Sequence, residues 1–254
     1  MKSPFIVFTL SFVGLWLSAR IGVALRKRRA VQDEREDFGI ILGATLTLLG
    51  LIIGFSFSMA ISRYDQRKNY EEAEANAIGT EYLRADLLPA AEAATVRALL
   101  RKYLDQRVLF YSTRDERQLQ RVDAYTAQLQ TGLWSTAVAP AEADSTPLAA
   151  LAVAGMNDVL NSQGYTQAAW WNRIPPAAWG LMITIAICCN LLIGYGAHGA
   201  KTETFLLLVV PLVVSISFFL IADIDSPRRG IIRVIPQNLI SLSRSLHAQQ
   251  SDDR

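Results

Sequence analysis

From Phe38 to Ser62 the chain carries no charge over about 25 positions, enough to cross a hydrocarbon core of roughly 30 Å as a helix. With no breaker, the pattern turns polar but stays helical, RYDQRKNYEEAEANAIGTEYLRADLL, until Pro89. Read as one element, about 51 residues at roughly 1.5 Å each predict a helix of roughly 75 Å that leaves the lipid and continues in water. Three more apolar runs, Pro4 to about Leu25, Ala177 to Ala197 and Glu203 to Ala222, complete four predicted spans. The last two are joined only by HGAKTE, so they must form an antiparallel pair.

Between the second and third spans the pattern becomes amphipathic. AEAATVRALLRKYLDQRVLFY places Val96, Leu99, Leu100, Tyr103, Leu104 and Val108 at helical spacing, and RDERQLQRVDAYTAQLQTGLW does so with Leu119, Val122, Tyr125 and Leu129. AVAPAEADSTP reads as a loop broken by Pro140 and Pro147, and a further helix is predicted from Leu148 to about Ile174. Trp170, Trp171 and Trp179, with Pro175 and Pro176 among them, read as an interfacial belt where the chain re-enters lipid. Beyond the fourth span a weak amphipathic helix carries Leu239, Leu242 and Leu246, and QQSDDR reads as a frayed end.

The predicted fold is all-α: four transmembrane helices, two plus two, flank a helical extramembrane insert, with the second span continuing as a long helix. The segments are 1–62, a first pair with spans at about 4–25 and 38–62; 63–174, the insert; 175–222, a second pair with spans at about 177–197 and 203–222; and 223–254, a C-terminal tail.

Composition narrows the chemistry. The insert holds twelve basic against fourteen acidic residues (63–174), and the whole chain has a net charge of +2, so no basic face invites nucleic acid. Cys188 and Cys189 are adjacent inside an apolar run and read as small buried hydrophobes. His198 and His247 have no partner at metal spacing, and no nucleophile elbow, phosphate loop or dinucleotide fingerprint occurs. No enzyme, metal or cofactor is expected. Pro211 should kink the fourth span, and Asn190 reads as an interhelical hydrogen bond or as part of a conduction path. Arg26, Lys27, Arg28 and Arg29 read as an interfacial anchor, with Arg20 snorkelling outward. Because short loops orient spans most reliably, these bases favour cytoplasmic short loops, with the insert and both termini outside.

Three groups carry candidate function. Gly39, Gly43, Thr47, Gly50, Gly54, Ser58 and Ser62 recur at steps of three or four, so they share one helix face. Small residues at that spacing let helix backbones approach in lipid, or line a water-filled path in an oligomer. Glu74 and Glu81 share a face across Ile78, with Asn76 and Arg84 on another. They read as an ion ring or intersubunit face, or as a solvated face tied by pairs such as Arg67 with Glu71. Asp223, Asp225, Arg228 and Arg229 stand where the fourth span ends. With Arg63 and Asp65 they read as a latch, a gate element or a weak cation site; Pro227 and Gly230 would serve as a helix stop.

GFSFSMAISRYDQRKNYEEAEANAIGTEYLRADLLP and ADIDSPRRGIIRV, set in a two-plus-two arrangement of spans, resemble the bestrophin-like membrane family of bacteria over about Phe38 to Ile235. More remotely, Gly54-Phe55 followed by Arg63-Tyr64-Asp65 is similar to the second-helix region of true bestrophins. That resemblance implies a pentameric channel, anion-conducting in animals and cation-conducting in bacterial relatives, with the insert in the cytoplasm. The chain departs from those channels in having a Gly/Ser/Thr seam where they have bulky apolar rings. Only Asp223 and Asp225 stand where they have a dense acidic calcium clasp.

Together these readings describe a multi-pass protein of the bacterial inner membrane, a homo-oligomer whose partners are the lipid bilayer and an inorganic ion. The function expected is an ion channel with the second span near the axis. The alternative is a non-conducting scaffold or sensor whose insert binds another protein.

Overall fold

A computed structural model describes residues 4–28, 35–197 and 201–252. His198, Arg29 of the basic run and Asp253 and Arg254 of the tail lie outside the described residues. In chain order the helices are α1 (Pro4–Arg28), α2 (Arg35–Arg84), α3 (Ala90–Ser112), α4 (Glu116–Ala143), α5 (Pro147–Trp171), α6 (Pro176–Gly196), α7 (Lys201–Asp225) and α8 (Gln237–Asp252). No strand occurs among the described residues. Four stretches are long and apolar enough to cross a membrane, within Pro4–Arg26, Phe38–Leu87, Pro147–Gly196 and Leu207–Asp225.

The helix ends follow from local chemistry. α2 holds no proline and tightens into a 3-10 turn, Ala85–Leu87, where Leu88 N donates to Ala85 O. Pro89 then starts α3, since a missing N–H costs nothing at a helix N-terminus. Asp115 caps α4 by accepting from Arg117 N, and Thr146 caps α5 by accepting from Ala149 N at 3.1 Å.

Two predicted boundaries shift. Pro140 does not break the chain: α4 runs on to Ala143, and only Asp144–Thr146 separate it from α5. Burial of Leu133 and Ala137 holds this last stretch in place, and Asp144 N closes it on Pro140 O. α8 extends to Asp252, taking in most of the segment expected to fray.

The chain forms two compact units. The first comprises Met1–Tyr64 and Arg173–Arg233, the second Asp65–Asn172 and Val234–Arg254.

In the first unit α1 packs on α6 and α7, around a core that includes Leu15, Leu49, Trp179, Met182, Phe218 and Ile221. The α1–α6 contact is made by backbone. A Cβ on Gly22 would overlap the Leu191 carbonyl, and one on Gly194 would overlap that of Ala19. Ser18 Oγ adds a hydrogen bond to Ile187 O at 2.8 Å, and the Arg26 guanidinium donates to Ala197 O. Cys189 is buried and donates to Thr45 O, whereas Cys188 is exposed, so the two cysteines are not both buried as expected. Asn190 is buried and donates to Ala186 O of its own helix, not across helices. α7 continues through Pro211.

In the second unit α3 packs on α4 and α8, and α4 on α5. Ile78, Val96, Leu100, Leu104, Phe110, Leu133, Met156 and Leu239 are fully enclosed, each worth about 1.5–3 kcal/mol of transfer free energy. Trp170 stacks edge-on with Phe110 and Tyr111, at ring-centroid distances of 5.0 and 5.4 Å. It therefore belongs to this core and not to an interfacial belt. Trp179 is buried in the first unit, and Trp171 remains exposed.

Candidate functional site

α2 has two contrasting faces. In its apolar half Gly39, Gly43, Thr47, Gly50, Gly54, Ser58 and Ser62 are all exposed, and a Cβ on Gly39, Gly43, Gly50 or Gly54 would meet nothing within 4 Å. The predicted seam is thus left uncovered by its own chain. Further along the helix Asp65, Asn69, Glu72, Asn76, Thr80 and Leu83 continue the same step of three or four, and all are exposed. Helical periodicity puts them on the continuation of the glycine-bearing face.

The other face of the polar half is buried, and it is the more highly charged one. Arg67, Glu71, Glu74, Ile78, Glu81 and Ala85 recur at helical spacing and are at most 1% exposed. Glu74 pairs with Arg107 of α3, both side chains fully enclosed. Thr166 Oγ1 and Tyr111 OH also donate to the Glu74 carboxylate, at 3.1 and 3.3 Å. Burial is the largest influence on the Arg107 charge and works against it, but the Glu74 carboxylate and the Tyr103 and Tyr111 hydroxyls together raise the guanidinium pKa. Burial, reinforced by Glu74, also pushes the Tyr103 and Tyr111 hydroxyls well above the ordinary tyrosine range. Glu71 accepts from Asn238 Nδ2 at 2.7 Å and from Leu239 N at 3.0 Å, so it caps the first turn of α8. Arg67 Nε donates to Ala169 O.

Glu81 differs from its neighbours. It is fully buried, and neither carboxylate oxygen has a hydrogen-bond partner. Its carboxyl fills the space over Gly155 of α5, together with the Arg84 guanidinium. Burial raises its pKa from 4.5 to about 8; Arg84 opposes that rise and Asp158 adds to it.

Glu74 and Glu81 do share a face, as their spacing predicts, but that face is neither an exposed ring nor a solvated surface. Only Asn76 lies on the exposed stripe, and Arg84 is half-buried beside Glu81. Arg107, Tyr111, Thr166, Gly155 and Asp158 were not singled out from sequence. The available signal was Arg107 itself, which interrupts the apolar register Val96, Leu100, Tyr103, Phe110.

At the end of α7, Asp223 accepts from Ile231 N and Ile232 N, one bond to each oxygen, at 2.7 and 2.8 Å. The chain doubles back so tightly that a Cβ on Gly230 would overlap the Asp223 carbonyl. Asp225 Oδ1 accepts from Ile174 N at 3.0 Å and lies 3.6 Å from Arg63 Nη1 of α2. Of the residues considered as a latch, Arg63 and Asp225 therefore tie α2, α7 and the residues just before α6 together, Asp223 holds the turn that follows α7, and Asp65 is exposed on the stripe. Arg228 and Arg229 follow in the turn that Gly230 closes. No group of three or more His, Cys, Asp or Glu side chains suited to a metal occurs among the described residues.

The fold is that of known membrane proteins. A crystal structure of a bacterial bestrophin homologue from Klebsiella pneumoniae superposes with a TM-score of 0.67 at 14% identity, covering 96% of this chain and 97% of that one. A single-substitution variant of that homologue gives 0.69 at 14% identity, covering 97% and 98%. At such identity the likeness shows the fold alone. No curated protein matches the chain. The sequence itself matches the bestrophin-like domain over residues 5–239, nearly its whole length, and the chain is therefore a member of the bestrophin-like family of membrane proteins.

Proposed function

We propose that this protein is a homo-oligomeric ion channel of the bacterial inner membrane, with α2 of each subunit nearest the axis. The observation that carries the reading is the exposed stripe of α2, small in the apolar half and polar from Asp65 to Thr80. Polar side chains need water or a protein partner, and glycines in lipid let a second helix approach closely. Copies of α2 around an axis satisfy both conditions: the stripe meets neighbouring subunits, water, or each in turn. On the opposite face Arg67, Glu71 and Glu74 are bonded within the subunit and Glu81 is buried there, which leaves Asp65, Asn69, Glu72 and Asn76 to meet the ion. The Arg63–Asp225 contact would hold α2 against α7 beside this path.

The test is planar-bilayer recording of the purified, intact oligomer, alongside particle-averaged imaging for subunit number and an axial opening. Discrete conductance from a ring-shaped assembly is expected. Silence in several salts from intact oligomers would overturn the channel and favour the scaffold reading.

A further inference from the structure

The Glu81 carboxyl is enclosed by its own helix and by α5, with both oxygens unpartnered, and it occupies the notch left by the missing side chain of Gly155. The Arg84 guanidinium lies over the same notch. The charges acting on it are Arg84 from α2 and Asp158 from α5. The neighbouring 3-10 turn contributes Asp86, which is paired with Arg97 of α3 instead. An ionised carboxylate with no hydrogen bonds is a costly occupant of such a site, whereas the neutral acid is tolerated. A metal ion is a poor alternative: Glu81 would be its one buried carboxylate, and the guanidinium beside it already supplies positive charge.

We propose that Glu81 is a proton-binding site that makes the α2–α5 contact sensitive to alkaline pH. At neutral pH the carboxyl holds its proton and packs against Gly155. Above about pH 8 the proton passes to water, and the anion either draws Arg84 into an ion pair or opens the contact around Gly155. Both routes act on the last turn of α2. The inference is independent of conduction, because the site lies within one subunit.

Infrared pH titration of the full-length protein in lipid nanodiscs reads the proton directly, through the carbonyl band of a protonated acid. That band should persist at pH 7 and disappear with a midpoint near 8. Glu81→Gln should abolish it. Asp158→Asn, an exposed substitution that leaves the notch intact, should lower the midpoint by removing a like charge. The protection factor of α5 amides around Gly155, which removes the intrinsic rise of exchange with pH, should fall at least several-fold between pH 7 and 9 in the parent and stay level in Glu81→Gln. A band already absent at pH 6, or one that survives in Glu81→Gln, would overturn the proposal. If Glu81→Gln does not fold, an unchanged midpoint in Asp158→Asn would overturn it equally.

Discussion

Gly194 of α6 sits against the backbone of Ala19 in α1, so closely that any side chain at 194 would overlap the Ala19 carbonyl. Gly22 makes the reciprocal approach to Leu191. This is the glycine-mediated packing that membrane helices use, and it lies on a different pair of helices from the stripe the sequence points to.

The two sets of glycines should therefore behave differently. Gly194→Leu must push α1 and α6 apart, and we expect a loss of at least about 3 kcal/mol with collapse of the folded yield. Leucine at Gly50 and Gly54 together meets open space in the subunit. That double variant should fold yet fail to assemble, as read by thermal melting against size-exclusion light scattering. An assembled double variant as stable as the parent would rule α2 out as the assembly face.

The Glu74–Arg107 pair is completely enclosed. Removing one partner, as in Glu74→Ala, strands the other charge and should cost about 3–5 kcal/mol. Replacing both by leucine should cost much less than the two single changes combined, which a double-mutant cycle on the purified protein would measure.

Glu81 makes stability depend on pH with a definite sign. The folded carboxyl keeps its proton to about pH 8, whereas the unfolded one loses it near 4.5. Between those values the folded state binds more protons, so its stability falls as pH rises and this contribution is gone above about 8. The melting temperature of the parent should decline from pH 6 to 9, and the decline should be smaller in Glu81→Gln.

Glu72 faces outward on the stripe. If α2 lines the path, Glu72→Lys replaces a negative ring by a positive one and should shift the reversal potential in asymmetric salt toward anion preference. Its melting temperature should change little, because an exposed substitution of this kind usually moves stability by less than about 0.5 kcal/mol.

The spans, the helical insert and the long α2 were all legible from apolar run length and the position of Pro89. Those signals are local, and a helix that satisfies its own backbone needs little else in lipid. Pro140 misled because its effect depends on context: burial of Leu133 and Ala137 carries the end of α4 past the one backbone bond that proline cannot make. The partners of Glu74 and Glu71 stand 33 and about 168 positions away, and no local pattern pairs them. The inward turn of Arg67, Glu71, Glu74 and Glu81 defeats the habit of reading charged positions as wet ones. Only the apolar register broken by Arg107 hinted that α3 expected a carboxylate opposite.

Glu71 belongs to α2, and the backbone amide it caps belongs to α8, which is synthesised after α6 and α7. During synthesis that carboxylate must wait, solvated or chaperoned, until both remaining spans have been inserted. The second unit is thus completed only once α8 has been made, and a product stalled before α8 would display an unfinished helical surface that quality-control proteases could recognise.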